Sequence, residues 1–505
     1  MSKSMYVRLS CLTAVQSQAG KPDAPCFLLR FVVLAWLGIG CAAGLSEAAS
    51  PSAETKPLQA GVAVANITPW LGGGLVGNFG TPPPAEYVHD ELYARCFLLD
   101  DGSTRIALVV CDNIYISREV LDEAKRQASE ATGLPIDRIL ISGTHTHSSV
   151  SARWPNPLAP EKEFTEYQQF VAHRIADGIR CALYNLRPAR VAWGVVDLPD
   201  HVFNRRWLMK PGTELLNPFG EPDRAKMNPG NSPNLLKPAG PVDPQIAFLA
   251  IETAEGRPLG LLANYSLHYV GGTGPKHISA DYFGMFSDRI QQLLQADRLD
   301  PPFVAAMSNG TSGNINNVNF AVGRVRKQPY EQMRLVADAC AEAVYRQYGK
   351  LTWQKSAPLG MRQRELELAV RKPTAEQLAR SKQLLAEPER RDKFPHERAY
   401  AAKAIQQQES PDTVHILLQA VRIGDLGITA IPFETFSETG LELKARSPFK
   451  PTFTMELANG GYGYLPTPEQ HELGGYETWL GTSKVEVQAS TKIVDALLEM
   501  FSELK

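Results

Sequence analysis

The sequence predicts an α/β fold: a single large layered domain of mixed β-sheet flanked by helices. Two observations predict it. From residue 58 onward, strand-like apolar runs alternate with amphipathic runs of helical period, with no internal repeat and no clear break. The 505 residues are 44% hydrophobic and 21% charged, with a formal net charge of −2, as expected of a chain that buries a large core. The same figures exclude a disordered chain and a disulfide-stapled miniprotein. They also argue against a nucleic-acid partner, because there is no basic excess to displace counterions from phosphates.

Residues 1–50 read as a leader. Lys3, Arg8, Lys21 and Arg30 precede the apolar run 31–40, and small residues follow it up to Ala48 and Ala49. Basic, apolar and small segments in that order predict a secretory signal, hence an exported protein in the periplasm, the medium or the envelope. The run is short for a membrane span. Lipid attachment at Cys41 and a later translation start stay open. Residues 51–57 read as a polar linker. Past the leader, Cys96, Cys111, Cys181 and Cys340 show no CxxC spacing, so a thiolate metal cluster is not expected. Cys96 and Cys111 lie in apolar runs and read as core residues.

The elements follow in order. Residues 58–69 alternate like a strand and stop at Pro69. A Gly/Pro-rich loop covers 72–84. Strands at 92–99 and 104–111 flank the turn at Asp100-Asp101-Gly102. A helix covers 118–132 and ends at Gly133. A buried strand at 136–142 runs into the segment 143–148. Helices are expected at 164–186, 282–295, 330–348 and 435–446, and strands at 189–198, 245–253, 258–267, 302–307, 414–423 and 426–432. Residues 199–245 are rich in Pro, Gly and Asn and read as a long surface excursion lining something. The Ala-, Glu-, Gln-, Lys- and Arg-rich stretch 373–408 reads as a helical hairpin on the outside, its charges a solvated face. After a loop-rich stretch, 490–504 closes the chain as a helix with Ser490 or Thr491 placed to cap it.

Three strand ends offer metal-ligand chemistry. His145 and His147 stand one residue apart at the exit of a buried strand and would face one side if extended. His268 ends the strand 258–267, and Glu434 follows the apolar run 428–432. Each also has a plainer reading, as loop histidines, a core histidine and a helix N-terminal carboxylate. Ligands at the carboxyl ends of strands are where α/β sheets build sites, and two His with one Glu suit a hydrolytic zinc. The segment 308–317 is dense in Ser, Asn, Thr and Gly and offers backbone N–H groups to a carbonyl oxygen, or else is a polar turn. Residues 460–464 form a Gly/Tyr loop, with Tyr476 twelve residues further on.

Taken together these segments resemble the neutral/alkaline (non-lysosomal) ceramidase family, secreted or surface zinc amidases that cleave the N-acyl bond of ceramide. The likeness runs in order through Gly61 to Pro69, Ser142-Gly143-Thr144-His145-Thr146-His147-Ser148, Asn204-Arg205, Ile278 to Asp281, and Leu457 to Tyr464 and on to Tyr476-Glu477. The resemblance implies Zn2+ held by His145, His268, Glu434 and Tyr464. It implies that His147 stabilises the transition state or moves a proton, and that Arg205 and Tyr476 line the site. It further implies a small-molecule or lipid amide substrate hydrolysed by metal-activated water, and it leaves membrane-surface association open.

Two departures matter. The family's Gly-Asp-x-Ser-Pro-Asn loop aligns with Gly313-Asn314-Ile315-Asn316, so Asn316 stands where a catalytic Ser is expected, with Ser312 nearby as its substitute. Only 29 residues follow Tyr476, so no counterpart of the longer members' immunoglobulin-like domain is expected. These departures keep two alternatives open: a hydrolase of the same fold for another amide, an ester or a glycoside-like ligand, and a non-catalytic envelope binding protein.

Overall fold

Eight strands pair into one mixed sheet, in the spatial order Val304–Asn309, Pro258–Tyr265, Gln245–Thr253, Arg187–Asp197, Gln59–Asn66, Tyr93–Asp100, Arg105–Cys111 and Ile139–Gly143. The outermost pair at each edge is parallel and the inner pairs are antiparallel. This is a computed structural model, and it describes residues 57–77, 80–296, 300–323 and 325–505. The leader, Cys41 and the linker up to residue 56 lie outside the described residues.

Helices cover one face of this sheet. Helices α1 (Arg118–Thr132) and α2 (Glu166–Tyr184) bury Val120, Ala124, Ile175 and Ile179 against one half. Helices α3 (Asp281–Leu293) and α4 (Glu331–Tyr348) bury Phe283, Phe286, Val336 and Cys340 against the other. Local chemistry sets the boundaries. Gly133 stops α1 in the left-handed region at φ 71°, and Thr165 and Gln168 form a reciprocal capping box at the start of α2.

A second sheet packs on the opposite face. Its strands are Leu359–Ala369, Thr413–Ile423, Leu426–Ile431 and Thr452–Glu456. Val62, Phe97, Leu108 and Leu140 of the first sheet meet Met361, Val421, Ile428 and Phe453 of the second. Each such side chain, once fully buried, stabilises the fold by about 2 kcal/mol. Helices α7 (Ser437–Arg446) and α9 (Ala489–Ser502), with the short α8 (Pro468–Glu472) between them in sequence, follow, and α7 and α9 close the far side through Leu443, Ile493, Leu497 and Phe501. The order of layers is therefore helix, sheet, sheet, helix.

Four expectations need correction. Thr452–Glu456 is a buried strand inside the stretch read as loop, and Leu359–Ala369 is a strand where none was expected. Helix α9 starts after Gln488 with no side-chain cap, and Ser490 is buried inside its first turn. The charged stretch is only partly a solvated face. It forms α5 (Ala375–Ala386) and α6 (Glu397–Glu409), which leave and rejoin the second sheet where Ala369 pairs with Thr413. Tyr400 and Ala404 of α6 are buried against Phe219 and Leu480, and the Tyr400 hydroxyl is bonded to Thr482.

Candidate metal centre

His145 lies just past the strand Ile139–Gly143, but not in an extended backbone. Its φ is 73°, so the segment turns at once, and His145 and His147 converge through this turn and not through strand alternation. The turn is held by His145 N–H donating to Asn113 O and Thr144 N–H donating to Cys111 O, both 2.9 Å. His268 follows the strand Pro258–Tyr265. Its Nε2 is 3.1 Å from His145 Nε2, and His147 Nε2 is 3.2 Å from the same atom. Glu434 Oε2 lies 3.4 Å from His145 Nε2 and 3.8 Å from His268 Nε2, with no hydrogen-bond partner.

The outer ring nitrogens decide which atoms face inward. His145 Nδ1 meets Ile114 O at 2.9 Å, and His268 Nδ1 meets Ser312 O at 3.1 Å. A carbonyl oxygen only accepts, so each Nδ1 carries the proton and each Nε2 presents a lone pair. Two bare nitrogens and an unpartnered carboxylate oxygen thus crowd one buried point with no proton to share. A cation satisfies such a donor set, and the carbonyl partners behind the rings fix their orientation as second-shell groups do. Burial, together with Arg205 and the neighbouring imidazoles, holds both His147 and His268 well below the usual imidazole range, in the neutral form that ligates. Burial alone would raise Glu434, but its polar surroundings, the Arg205 guanidinium among them, outweigh it and hold its carboxyl below the usual range.

Tyr464 arrives from a distant segment. Glu434 and Tyr464 are direct partners in a two-residue parallel ladder. Arg205 Nη2 donates to the Tyr464 hydroxyl at 2.9 Å, and Arg205 Nε donates to Glu477 Oε1 at 3.0 Å. Glu477 also accepts from Arg206 Nη1 at 2.8 Å, so one buried carboxylate serves two buried guanidinium groups. The Tyr476 ring stands 5.7 Å from the Tyr464 ring, nearly perpendicular to it. His147 stacks on Tyr269, with centroids 3.6 Å apart.

His145, His147, His268, Glu434, Tyr464, Arg205 and Tyr476 all line one cavity of about 440 Å3. Asn316 and Ser312 do not line it. Asn316 pairs with Phe203 and donates from Nδ2 to Asn228 Oδ1 at 2.9 Å, behind a residue that does line the cavity. Ser312 is buried behind His268 and donates its hydroxyl to Glu456 Oε1 at 2.7 Å. Several N–H groups of segment 308–317 are engaged within the fold. Gly310, Ser312 and Gly313 donate to Tyr265 O, Glu456 Oε2 and Thr435 O. Through Ser312 O this segment supports the ring of His268.

Sequence reasoning missed Glu456. It is fully buried and accepts from Asn309 Nδ2, Ser312 Oγ, Ser312 N and Thr435 N at 2.7–3.1 Å. It thereby ties the residue behind His268 to the residue after Glu434. It also missed Arg153, Lys403 and Lys484, which share the cavity.

The layered fold and its buried cluster of three imidazoles and a carboxylate define an α/β protein with a candidate metal centre at strand ends. The profile of the neutral/alkaline non-lysosomal ceramidase family, N-terminal part, matches residues 58–349, and the chain belongs to that family. A curated relative, the neutral ceramidase of Pseudomonas aeruginosa, is 23% identical over 282 residues, which are 54% of this chain and 39% of that protein. The crystal structure of neutral ceramidase from Pseudomonas aeruginosa superposes with a TM-score of 0.67 at 18% identity, covering 89% of this chain and 75% of that one. A structure described as ceramidase complexed with C2 superposes with a TM-score of 0.63 at the same identity and coverage. The matched sequence thus spans about two-fifths of the relative's length (39%), and the structural likeness speaks to the fold.

Proposed function

We propose that this protein is an exported, zinc-dependent amidohydrolase that cleaves the N-acyl bond of a ceramide-like lipid. One observation carries the reading. The bare Nε2 atoms of His145 and His268 and the unpartnered Glu434 Oε2 face one another inside a cavity of a ceramidase-family fold. Nitrogen and oxygen donors in this number suit zinc. His145, His268 and Glu434 hold the ion, with the Tyr464 hydroxyl beside Glu434. Bound zinc supplies Lewis-acid polarisation of the carbonyl and a water acidic near neutral pH.

The chain's own residues do the rest. Of the three imidazoles, His147 is the least buried, and it is kept neutral. Its Nε2 accepts a proton from the attacking water and returns it to the leaving nitrogen. The water oxygen joins the acyl carbon, the C–N bond breaks, and a fatty acid and an amine leave. Arg205, fixed by Glu477, and Tyr476 face the carbonyl oxygen as charge develops on it. Export rests on the order of basic, apolar and small residues in the leader.

The test is fatty-acid release from an N-acyl sphingoid base, with metal content measured by mass spectrometry. Stoichiometric zinc, with release abolished by a chelator and restored by zinc, is expected. Stoichiometric zinc with no acid released from any N-acyl amide overturns the activity.

A further inference from the structure

The same cavity carries a cluster of cations that the hydrolysis does not use. Arg153, Lys403 and Lys484 line its wall together with the metal-centre residues. None of the three forms an ion pair among the described residues. Arg153 lies over the Tyr115 ring at 5.2 Å and donates from Nη1 to its hydroxyl, while its Nε is buried without a hydrogen-bond partner. Lys484 Nζ has a backbone carbonyl, Gly481 O, at 2.7 Å. Lys403 Nζ sits 4.3 Å from the Tyr400 ring centroid. Gly481, at φ 90°, lets the Lys403 stem press close, since a Cβ there would fall 2.9 Å from Lys403 Cβ.

The three are near enough to repel one another. Burial and the charges of Lys403 and Arg153 push the Lys484 ammonium down to about 7, and burial and Arg153 lower Lys403. Like charges gathered in a partly buried wall without counter-charge are costly, and an anion relieves them. The wall is joined to the reaction centre by backbone: Tyr464 N–H donates to Thr482 O at 3.2 Å, two residues before Lys484. Lys403 comes from α6, the helix of the charged stretch.

We propose that the substrate carries an anionic group, a carboxylate or a phosphate ester, which Arg153, Lys403 and Lys484 hold while the amide lies against His145, His268 and Glu434. A ceramide has no such charge. The inference rests on the amidohydrolase reading for the position of the amide, but the anion site can be tested apart from it. Ile114, Met227 and Ala399 give the same cavity apolar surface for an acyl chain.

Three amides of one acyl chain decide the matter: N-dodecanoylglycine, N-dodecanoylethanolamine and the phosphate ester of the latter. Binding to the zinc-loaded protein is measured by calorimetry and cleavage by acid release. At least one anionic amide binds roughly tenfold or more tighter than the neutral one, as charge-assisted hydrogen bonds allow. The carboxylate and phosphate arms tell which anion fits. The preference shrinks as salt is added, and Lys403→Gln and Lys484→Gln each reduce it, whereas Lys403→Arg keeps it. If Lys484→Gln does not fold, the Lys403 pair decides alone. Equal binding of charged and neutral amides, or a preference untouched by Lys403→Gln, overturns the proposal, whatever the catalytic result. Charge-selective binding with no amide cleaved retains the anion site and overturns the amidohydrolase reading instead.

Discussion

Gly77 lies directly against the side chain of His147: a Cβ built on Gly77 would fall 2.4 Å from His147 Cγ. The glycine also has a φ of 112°, outside the usual range of L side chains. Gly77→Ala must therefore tilt the His147 ring away from His145. We expect kcat/KM to drop by roughly 100-fold, the scale of an ångström of misplacement, with a much smaller loss of folding stability. Paired measurements of acid release and urea unfolding check this, and unchanged turnover would show that His147 has no part in proton transfer.

Glu456 joins the supports of two candidate ligands. Glu456→Gln places an amide donor where only acceptors serve, so we expect a destabilisation of about 2 kcal/mol. Zinc affinity is expected to fall by roughly 10- to 100-fold, as for other outer-shell partners. Chelator competition measures the second effect separately from denaturation.

Arg205 spans Glu477 and Tyr464 with two arms of its guanidinium. Lysine has a single ammonium and cannot reach both. Arg205→Lys is expected to lower kcat more than it raises KM, and Arg205→Met to cost about 3 kcal/mol by leaving buried Glu477 with Arg206 alone. Steady-state kinetics and thermal unfolding separate the two substitutions.

Lys125 is fully buried and donates to Asn459 Oδ1 at 2.7 Å. Burial pushes its ammonium down to about 8, against 10.5 for a free lysine. Below about pH 8 both folded and unfolded chains are protonated here, and the whole cost of burying the charge is present. Between about 8 and 10.5 the unfolded chain binds more protons, so stability rises with pH, by about 3 kcal/mol over the window. The difference in unfolding free energy between the wild type and Lys125→Met, followed from pH 7.5 to 10, is expected to show this slope. A flat difference would mean that Lys125 stays charged throughout.

What the sequence made readable was what local chemistry controls. Helix α1 ends at Gly133, and the strand Gln245–Thr253 has the bounds its apolar pattern predicts. His145, His147, His268 and Glu434 were visible because each follows an apolar strand. Arg205 was visible only through the family likeness, and Tyr464 without it only as part of a Gly/Tyr loop, since their positions depend on long-range pairings such as Glu434 with Tyr464 and Ile315 with Asn204. Glu456 ends a strand of five residues in a loop-rich stretch, where no periodicity can develop. Leu359–Ala369 escaped notice because charged residues alternate with its apolar ones, although Leu366 and Leu368 carried the two-residue period. Lys403 sits among Ala, Gln and Glu, a composition that a helix facing water shares with one lining a cavity.

The pair α5 and α6 departs from the second sheet at Ala369 and returns at Thr413, which face each other across one rung of a ladder. The excursion between those two points therefore enters and leaves without interrupting the ladder, while Tyr400 and Ala404 pin its second helix to Phe219, Leu480 and Thr482. An excursion spliced into a single rung of a sheet is a place where length and composition can vary while the ladder continues on either side, and here that excursion delivers Lys403 to the wall of the cavity.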